Sequence, residues 1–226
     1  MSAEPIRVLL VDDDELMRAG LATVLSSDPA IKMVGQASTG RLALESVRVG
    51  QPDVVLMDVR MPDLDGIAAT RQLLATAPEV RIIILTTFEQ DDYIFGAIDA
   101  GASGFLLKRT RPEELLSAIH AVAAGDSLLS PSVTRIVLEH LARQPTPTLE
   151  STGQLSELTP RELQVLELIA RGQSNREIAS TLVIEESTVK THIKRILLKL
   201  DLRDRIHAVI FAYETGLAQT DPRSAA

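Results

Sequence analysis

The stretch Asp53-Val54-Val55-Leu56-Met57-Asp58 is a short apolar run that ends on a carboxylate. Continuous apolar runs of this length are typical of strands that are buried on both faces of a parallel sheet. Three further runs end on polar side chains in the same way: Ile6–Val11 before Asp12, Asp13 and Asp14, Arg81–Leu85 before Thr86 and Thr87, and Gly104–Leu107 before Lys108. Because parallel strands end on the same side of their sheet, we expect these polar groups to converge at one edge.

Residues 1–124 alternate strand-like runs with amphipathic helical patterns. The predicted strands lie at about 6–11, 31–36, 53–58, 80–86 and 104–107, and the predicted helices at about 15–26, 40–49, 66–77, 90–100 and 112–124. Five βα units of this size imply a parallel sheet with helices on both faces. Right-handed crossovers favour the strand order 2-1-3-4-5, so we predict an α/β domain with a flavodoxin-like (βα)5 fold.

The rest of the chain is predicted to form a linker and a second domain. Residues 125–154 are the linker, with a helix over 132–142 and a flexible segment around Gln144-Pro145-Thr146-Pro147-Thr148. Residues 155–226 are predicted as an all-α domain of four helices with a short C-terminal tail. The stretch Thr159-Pro160-Arg161-Glu162 is a strong helix start, because it combines a Thr N-cap, a Pro at the first position and a Glu at capping-box spacing.

Composition narrows the class of protein. The chain has 226 residues, is 45% apolar and 24% charged, carries a formal net charge of −8 and contains no cysteine. Disulfides and thiolate metal sites are therefore excluded, which fits a reducing compartment. No apolar run approaches the roughly 18 residues that would span a bilayer. We expect a cytoplasmic protein without a membrane partner.

Asp12, Asp13 and Asp58 are the candidate residues for metal binding and phosphoryl transfer. A hard cation such as Mg²⁺ takes oxygen ligands and keeps several waters, so two carboxylates and a backbone carbonyl suffice to hold it. The cation would offset repulsion between these carboxylates and an incoming phosphate. Asp58 is then placed to attack phosphorus as a nucleophile, which gives an acyl phosphate. For Asp14 the favoured alternative is a solvated residue or the N-cap of the next helix.

Thr86 and Lys108 are candidates to contact a phosphoryl group, because a hydroxyl can donate a hydrogen bond to one oxygen and an ammonium group can pair with another. Thr87 is a near-equivalent candidate, and sequence order favours Thr86 only mildly. Taken alone, a Thr at the end of a strand is usually a turn residue, and a single Lys is usually solvated. Phe105 lies in the last predicted strand, where core packing is expected and a switching role is a second interpretation.

This combination of residues resembles the response-regulator receiver domain over about residues 5–124. The matching segments are Val11-Asp12-Asp13, the Asp58 strand with Met61-Pro62 and Asp65-Gly66, Leu85-Thr86, and Gly101 to Lys108. The resemblance implies that Asp58 accepts a phosphoryl group from a sensor histidine kinase. It also implies that Asp13 and Asp58 bind Mg²⁺ with the backbone carbonyl of Arg60, and that Asp12 helps. Thr86 and Lys108 would then read the phosphoryl group.

The segment from Glu186 to Leu200 combines an apolar face with a basic face. The apolar side chains at helical spacing are Val189, Ile193, Ile196, Leu197 and Leu200. Such a helix, entered from a short helix and a tight turn, is typical of a helix-turn-helix. We expect its N-terminal half to enter the major groove, where Lys190 and Lys194 reach base acceptors and Thr191 makes a short contact. The side chains expected to position phosphates are Ser187, Thr188, His192, Arg195 and Lys199.

Residues 155–217 also resemble a known family, the LuxR-type DNA-binding domain. The matching segments are Leu158-Thr159-Pro160-Arg161-Glu162, Ile169-Ala170-Arg171-Gly172, Ser174 to Ala179 and Ser187 to Ile193. Glu185 departs from the family pattern, which often has Ser or Thr there, and a Glu caps a helix less well than a hydroxyl. Together the two domains resemble a NarL/FixJ-class response regulator. The resemblance implies double-stranded DNA with paired half-sites as a partner and a homodimer on activation.

The favoured function is therefore a non-enzymatic, DNA-binding transcriptional regulator controlled by phosphorylation of Asp58. Two alternatives are open. In the first, the receiver responds to a ligand or a protein instead of phosphorylation. In the second, the acidic crevice belongs to an α/β phosphohydrolase. Against the second, the first strand-to-helix turn lacks a Gly-x-Gly-x-x-Gly pattern, and no Gly-Lys-Ser/Thr phosphate loop is present in the sequence.

Overall fold

The computed structural model describes residues 4–87, 91–125, 128–129 and 154–218. The chain divides into two compact units, Met1–Val133 and Thr134–Ala226, called here the first and the second unit. The division falls inside the segment predicted as the linker. Among the described residues, no helix is both long and apolar enough to cross a membrane.

The first unit is a parallel sheet covered by helices. Its elements are β1 (Ile6–Val11), α1 (Glu15–Ser26), β2 (Ile31–Ala37), α2 (Gly40–Gly50), β3 (Val54–Asp58), α3 (Gly66–Thr76), β4 (Arg81–Thr86), α4 (Asp91–Asp99), β5 (Gly104–Leu107), α5 (Pro112–Ala123) and β6 (Leu128–Leu129). The strand order is β2-β1-β3-β4-β5-β6, and each neighbouring pair is parallel. The predicted flavodoxin-like order 2-1-3-4-5 is confirmed, and β6 extends the sheet beyond β5.

Local sequence explains where these elements begin and why the central strands are apolar. Every residue of β3 is buried, as expected for a strand covered on both faces. Asp14, Thr39 and Asp65 cap α1, α2 and α3, because each side chain accepts a hydrogen bond from a backbone N–H of the first turn. The caps of α1 and α2 start these helices within four residues of the preceding strand, whereas a longer loop joins β3 to α3.

The short strand β6 lies inside the segment predicted as the linker, where it pairs in parallel register with Gly104 and Phe105 of β5. A two-residue strand has too short a pattern to be read from sequence. The predicted helix over 132–142 and the Pro-rich segment over 144–148 lie outside the described residues, so the predicted linker bounds stay a prediction.

The second unit is helical throughout the described range 154–218. It contains a 3₁₀ turn (Leu155–Glu157), α6 (Pro160–Ala170), α7 (Asn175–Leu182), α8 (Glu186–Lys199) and α9 (Arg205–Glu214). Thr159 and Ser174 start α6 and α7 with complete capping boxes, in which the Glu three residues later bonds back to the cap. One core cluster, containing Val165, Leu166 and Ile169 of α6 and Ile193 and Ile196 of α8, holds the unit together. The predicted all-α domain is confirmed.

Candidate functional site

The loop after β1 and the end of β3 bring three carboxylates together. Oxygen atoms of Asp12, Asp13 and Asp58 all lie within 4.8 Å of one another. Asp12 is fully buried, Asp58 is 5% exposed and Asp13 is exposed to solvent. This convergence follows from β1 and β3 being parallel neighbours, so that their carboxyl ends share one edge of the sheet.

Lys108 follows the last residue of β5, and its side chain reaches two of these carboxylates. Its Nζ lies 2.7 Å from Asp12 Oδ2 and 3.0 Å from Asp58 Oδ2. The backbone N–H of Lys108 donates to the carbonyl of Thr86 at 2.7 Å, which ties the end of β5 to the end of β4. One ammonium group thus neutralises part of the charge of two buried carboxylates, as a buried charge requires.

The surroundings raise the pKa of both partners in the ion pair between Asp58 and Lys108. Burial raises the pKa of Asp58 above its usual range, and this effect outweighs the lowering by the hydrogen bond and charge of Lys108. Burial alone would lower the pKa of Lys108, but the hydrogen bonds and charges of Asp12 and Asp58 reverse that effect and raise it. The amine of Lys108 is therefore held in its charged form beside the carboxylates.

An open crevice of about 940 Å³ lies above Asp13, Asp58 and Lys108. Its walls contain Arg60, Met61, Pro62, Asp65, Ile67, Ala68, Arg71, Thr87 and Tyr93. Thr87 lines the crevice, whereas Thr86 ends β4 and is buried. The choice between the two hydroxyls stays open. Phe105 is buried in β5, as its predicted packing role requires, and its second interpretation as a switch stays a prediction.

The loop between β3 and α3 is tightly bound to the end of β3. The N–H of Gly66 donates to the carbonyl of Val59 at 2.8 Å, and the N–H of Leu64 donates to the carbonyl of Pro62 at 2.8 Å. The second bond closes a γ-turn centred on Asp63, which has a φ of 66°. These bonds fold the loop back on itself beside Asp58, and Arg60 of this loop lines the crevice.

Two contacts around Asp12 were not predicted from the sequence. Arg18 Nη1 donates to the backbone carbonyl of Asp12 at 2.7 Å, and the N–H of Asp14 donates to Asp12 Oδ1 at 3.0 Å. Asp14 itself caps α1, in agreement with its favoured interpretation. Arg18 lies one helical turn after Asp14, and this spacing is the sequence signal that could have placed it near the loop.

The donor set fits a hard divalent cation. The groups gathered here are carboxylate oxygens, which are ligands that Mg²⁺ takes while keeping several waters. Asp12 Oδ2 is buried and, among the described residues, has Lys108 Nζ as its partner and no further hydrogen bond. The residues that could hold a metal ion are therefore Asp12, Asp13 and Asp58, and the role of the Arg60 carbonyl stays a prediction.

In the second unit, α8 has one apolar face and one basic face. Val189, Ile193, Ile196 and the following Leu200 are buried, while Leu197 is half-buried. The exposed side chains among the predicted DNA contacts are Ser187, Thr188, Lys190, Thr191, Lys194, Arg195 and Lys199. His192 is half-buried, and its Nδ1 is buried without a hydrogen-bond partner in the described part of the chain.

Lys199 is bound to other residues of the second unit. Its Nζ donates to Glu162 Oε2 at 2.8 Å and to the carbonyl of Glu157 at 3.0 Å. Burial alone would raise the pKa of Glu162, but hydrogen bonds from Lys199 and Thr159 and the charge of Lys199 lower it to about 2. Lys199, which was predicted to bind phosphate, thus links the end of α8 to the start of α6.

The start of α8 also departs from the usual pattern for helix capping. Glu185 is the N-cap residue but makes no side-chain capping bond, as its residue type led us to expect. Instead, its Oε2 accepts a hydrogen bond from Ser187 Oγ at 3.2 Å. The hydroxyl of Thr191 likewise bonds to the carbonyl of Ser187 at 3.0 Å. Because Glu185 and Glu186 are both exposed, the surface at this end of α8 is partly acidic.

Comparison with known proteins assigns a family model to each unit. Residues 8–120 match the response regulator receiver domain. Residues 156–212 match the LuxR family of bacterial regulatory proteins. The two matched ranges contain the carboxylate cluster with Lys108 and the helices α6 to α8, respectively.

Similar proteins extend over nearly the whole chain. An uncharacterized transcriptional regulatory protein of Bacillus subtilis, YxjL, is 41% identical over 97% of this chain and 100% of its own length. The response regulator VraR of Staphylococcus aureus is 37% identical over 95% of this chain and 99% of its own. The crystal structure of ChrA, a response regulator of a heme-sensing two-component system, is 35% identical, with a TM-score of 0.52 over 96% of this chain and 100% of that one.

Proposed function

Because this chain belongs to the LuxR-type response regulators of two-component systems, we propose that phosphorylation of Asp58 controls its binding to DNA. The observation that supports the proposal most directly is the position of Asp58. Its carboxylate lies at the end of a buried strand, 3.0 Å from the Lys108 ammonium group and beside two further carboxylates. A nucleophile, a cation-binding cluster and a fixed positive charge thus share one open crevice.

The proposed reaction is transfer of a phosphoryl group from a phosphohistidine of a sensor kinase. A carboxylate oxygen of Asp58 forms the new bond to phosphorus. The bond from phosphorus to the histidine nitrogen breaks, and its electron pair stays on the histidine. Mg²⁺ held by Asp13, Asp58 and the Arg60 carbonyl, with help from Asp12, would offset the charge between the acceptor and the phosphoryl oxygens.

Lys108 and one threonine complete the proposed phosphoryl site. Lys108 Nζ already lies within ion-pair distance of the acceptor carboxylate, so a short movement brings it to a phosphoryl oxygen. Thr86 or Thr87 would donate its hydroxyl to another oxygen. The buried position of Thr86 and the crevice position of Thr87 give each a distinct route to the phosphoryl group. Phe105 would respond to that change from within β5.

The proposed output is binding of α8 to the major groove of double-stranded DNA. Lys190, Thr191 and Lys194 are exposed on α8 and would contact bases. Ser187, Thr188, His192 and Arg195 would position phosphates. Lys199 belongs to the same proposal, although its amine must leave Glu162 to make such a contact. A homodimer formed on activation would bind paired half-sites, and the cytoplasm is the proposed location.

The test of this proposal is an intact-mass measurement. The full chain is incubated with Mg²⁺ and acetyl phosphate, a small phosphodonor that bypasses the kinase. We expect the wild-type mass to increase by one phosphoryl group and the Asp58→Asn variant to stay unmodified. Thr86→Ala and Thr87→Ala, measured side by side, identify the hydroxyl that matters by which variant slows the reaction. A wild-type chain that stays unmodified would contradict the proposal.

The two alternative functions receive less support. The relatives named above are transcriptional and response regulators, and the carboxylates of Asp12, Asp13 and Asp58 lie together in the first unit. A receiver controlled by a ligand would have no need for three carboxylates and a lysine at one sheet edge. Repeated turnover of small phosphate esters by the wild-type chain would favour a phosphohydrolase instead.

A further inference from the structure

Gly66, the first residue of α3, lies against the backbone of the phosphoacceptor. A Cβ atom built on Gly66 would stand 1.9 Å from the carbonyl oxygen of Asp58 and 2.9 Å from its carbonyl carbon. The N–H of Gly66 also donates to the carbonyl of Val59, the next residue of the chain after Asp58. Gly66 is buried. Nothing but hydrogen fits between α3 and this backbone.

Two other glycines of the first unit provide comparisons. A Cβ on Gly40, at the start of α2, would stand 2.5 Å from the carbonyl oxygen of Leu64 and 2.9 Å from Ala69 Cβ. That contact presses on the loop at Leu64 and on α3 at Ala69, and the nearest atoms do not include Asp58. A Cβ on Gly20, within α1, would meet no atom within 4 Å. An Ala at position 66 therefore tests contact with Asp58, an Ala at position 40 tests crowding without that contact, and an Ala at position 20 tests helix propensity alone.

We propose that Gly66 is a positioning residue for phosphoryl transfer. By lacking a side chain it lets α3 begin against the Asp58 carbonyl, which fixes the acceptor carboxylate opposite Lys108. This inference rests on the proposed function of Asp58. Gly66 itself contacts no phosphoryl group, and its effect passes through the backbone of Asp58 and Val59.

The expected cost of a methyl group at this position follows from the distances. A Cβ that would stand 1.9 Å from the Asp58 oxygen must move away by roughly 1 Å, because real Cβ contacts under 3.0 Å are essentially never seen. Either α3 or the end of β3 has to shift. A misplacement of about 1 Å in a reacting group can cost about 100-fold in rate.

The experiment compares Gly66→Ala, Gly40→Ala and Gly20→Ala in the full chain. Thermal unfolding gives the folded fraction at the assay temperature, and intact mass gives the rate of phosphorylation at saturating Mg²⁺ and acetyl phosphate. We expect Gly66→Ala to react about 100-fold more slowly once corrected for folded fraction. Gly40→Ala should lose stability but react at close to the wild-type rate, and Gly20→Ala should change neither property for the worse.

A second pair of variants decides the matter if Gly66→Ala does not fold. Asp65 caps α3 by accepting from the N–H of Ala68 at 2.7 Å. Asp65→Ala removes both the charge and the cap, whereas Asp65→Ser removes the charge and keeps a cap. If α3 positions Asp58, Asp65→Ala should react several-fold more slowly than Asp65→Ser.

The outcomes separate the inference from the function on which it rests. Equal rates for folded Gly66→Ala and Gly40→Ala would overturn the positioning role, as would equal rates for Asp65→Ala and Asp65→Ser where Gly66→Ala does not fold. A wild-type chain that stays unmodified under the same conditions would instead overturn the proposed function. Asp58→Asn serves as the unreactive reference for all rates.

Discussion

Lys108 is the residue on which the charge balance of the acidic cluster depends. It is the ion-pair partner of both Asp12 and Asp58, and Asp12 is fully buried. Replacing it by Met leaves these carboxylates without a counter-charge. Loss of one partner of a buried pair costs about 3–5 kcal/mol. We expect Lys108→Met to lose about 3 kcal/mol of unfolding free energy in a chelator and to recover part of that loss in Mg²⁺.

This prediction is checked by urea unfolding followed through Tyr93. The sequence contains two tyrosines and no tryptophan, so a Tyr213→Phe background makes Tyr93 the reporter of the first unit. Lys32→Met is the matched control, because Lys32 is exposed and makes no ion pair within the described residues. Equal unfolding free energies for the two variants would show that Lys108 does not neutralise the cluster.

Glu162 gives the second unit a defined dependence on pH. Its folded pKa of about 2 lies below the ordinary value of 4.5, so its ionised form stabilises the fold above the unfolded pKa. That stabilisation, about 3 kcal/mol at most, is lost as pH falls from about 4.5 towards 2. The difference in unfolding free energy between wild type and Glu162→Gln should therefore be largest near neutral pH and shrink through this window.

The measurement uses a Tyr93→Phe background, in which Tyr213 reports the second unit. Glu177→Gln is the control, since Glu177 occupies the same capping-box position in α7 but is exposed. Glu177→Gln should lower the unfolding free energy by less than Glu162→Gln does at every pH. A wild-type advantage over Glu162→Gln that stays constant between about pH 5 and about pH 3 would refute the assignment.

At the residue scale, the sequence predicted groups whose position depends on strand order. Asp12, Asp13, Asp58 and Lys108 each follow an apolar run, and parallel strands bring such positions to one edge. The contacts of Lys199 and Gly66 could not be predicted in this way. The fold brings the Glu162 carboxylate next to Lys199 and the Asp58 carbonyl next to Gly66. The periodicity of a helix or strand carries no information about such a partner.

The turn between α7 and α8 contains a strained residue. Val183 has a φ of 53°, a left-handed conformation that β-branched residues rarely adopt, and its side chain is 89% exposed. Val183→Gly loses no packing and should stabilise the second unit by about 1 kcal/mol. Val49, in α2, is 88% exposed, so Val49→Gly should destabilise the first unit by about 0.5 kcal/mol. Thermal unfolding through the two tyrosine reporters checks both signs, and a Val183→Gly variant no more stable than the wild type would contradict the strain.

Two basic residues of α8 are expected to act differently on DNA. Arg195 is exposed on the basic face, whereas Lys199 is bound to Glu162. Arg195→Met should reduce the slope of log affinity against log salt by about 1, as expected for one lost phosphate contact. Lys199→Met should reduce that slope by less than Arg195→Met does, because the amine of Lys199 must first leave Glu162 to reach a phosphate, and it should also lower the unfolding free energy of the second unit. The affinities are measured on DNA selected from a random pool, and equal reductions in slope for the two variants would contradict this difference.

At the element scale, periodicity and capping residues predicted the helices and strands to within one or two residues. The helix predicted over about 15–26 has the bounds that the structure gives to α1, and Asp14 caps its start. β6 was missed, since two residues beside β5 form no recognisable pattern. An element of that length is defined by its neighbour and not by its own sequence.

At the scale of the whole molecule, the change from alternating strands and helices to helices alone predicted two units with different charge patterns. The acidic cluster lies in the first unit, whereas the stretch from Lys190 to Arg205 holds six basic and two acidic residues in the second. The sequence could not predict how phosphorylation in one unit changes the other. That coupling depends on two alternative arrangements of similar free energy, and a residue pattern does not encode such a difference.

The central claim, that Asp58 controls DNA binding, is tested most directly by the DNA affinity of the full chain with and without acetyl phosphate and Mg²⁺. Wild type and Asp58→Asn are compared at one salt concentration on DNA selected by the phosphorylated chain. The account predicts that phosphorylation raises the wild-type affinity about tenfold, within the usual range of coupling between sites, and leaves Asp58→Asn unchanged. An affinity that is equal for the phosphorylated and the unphosphorylated wild-type chain would contradict it.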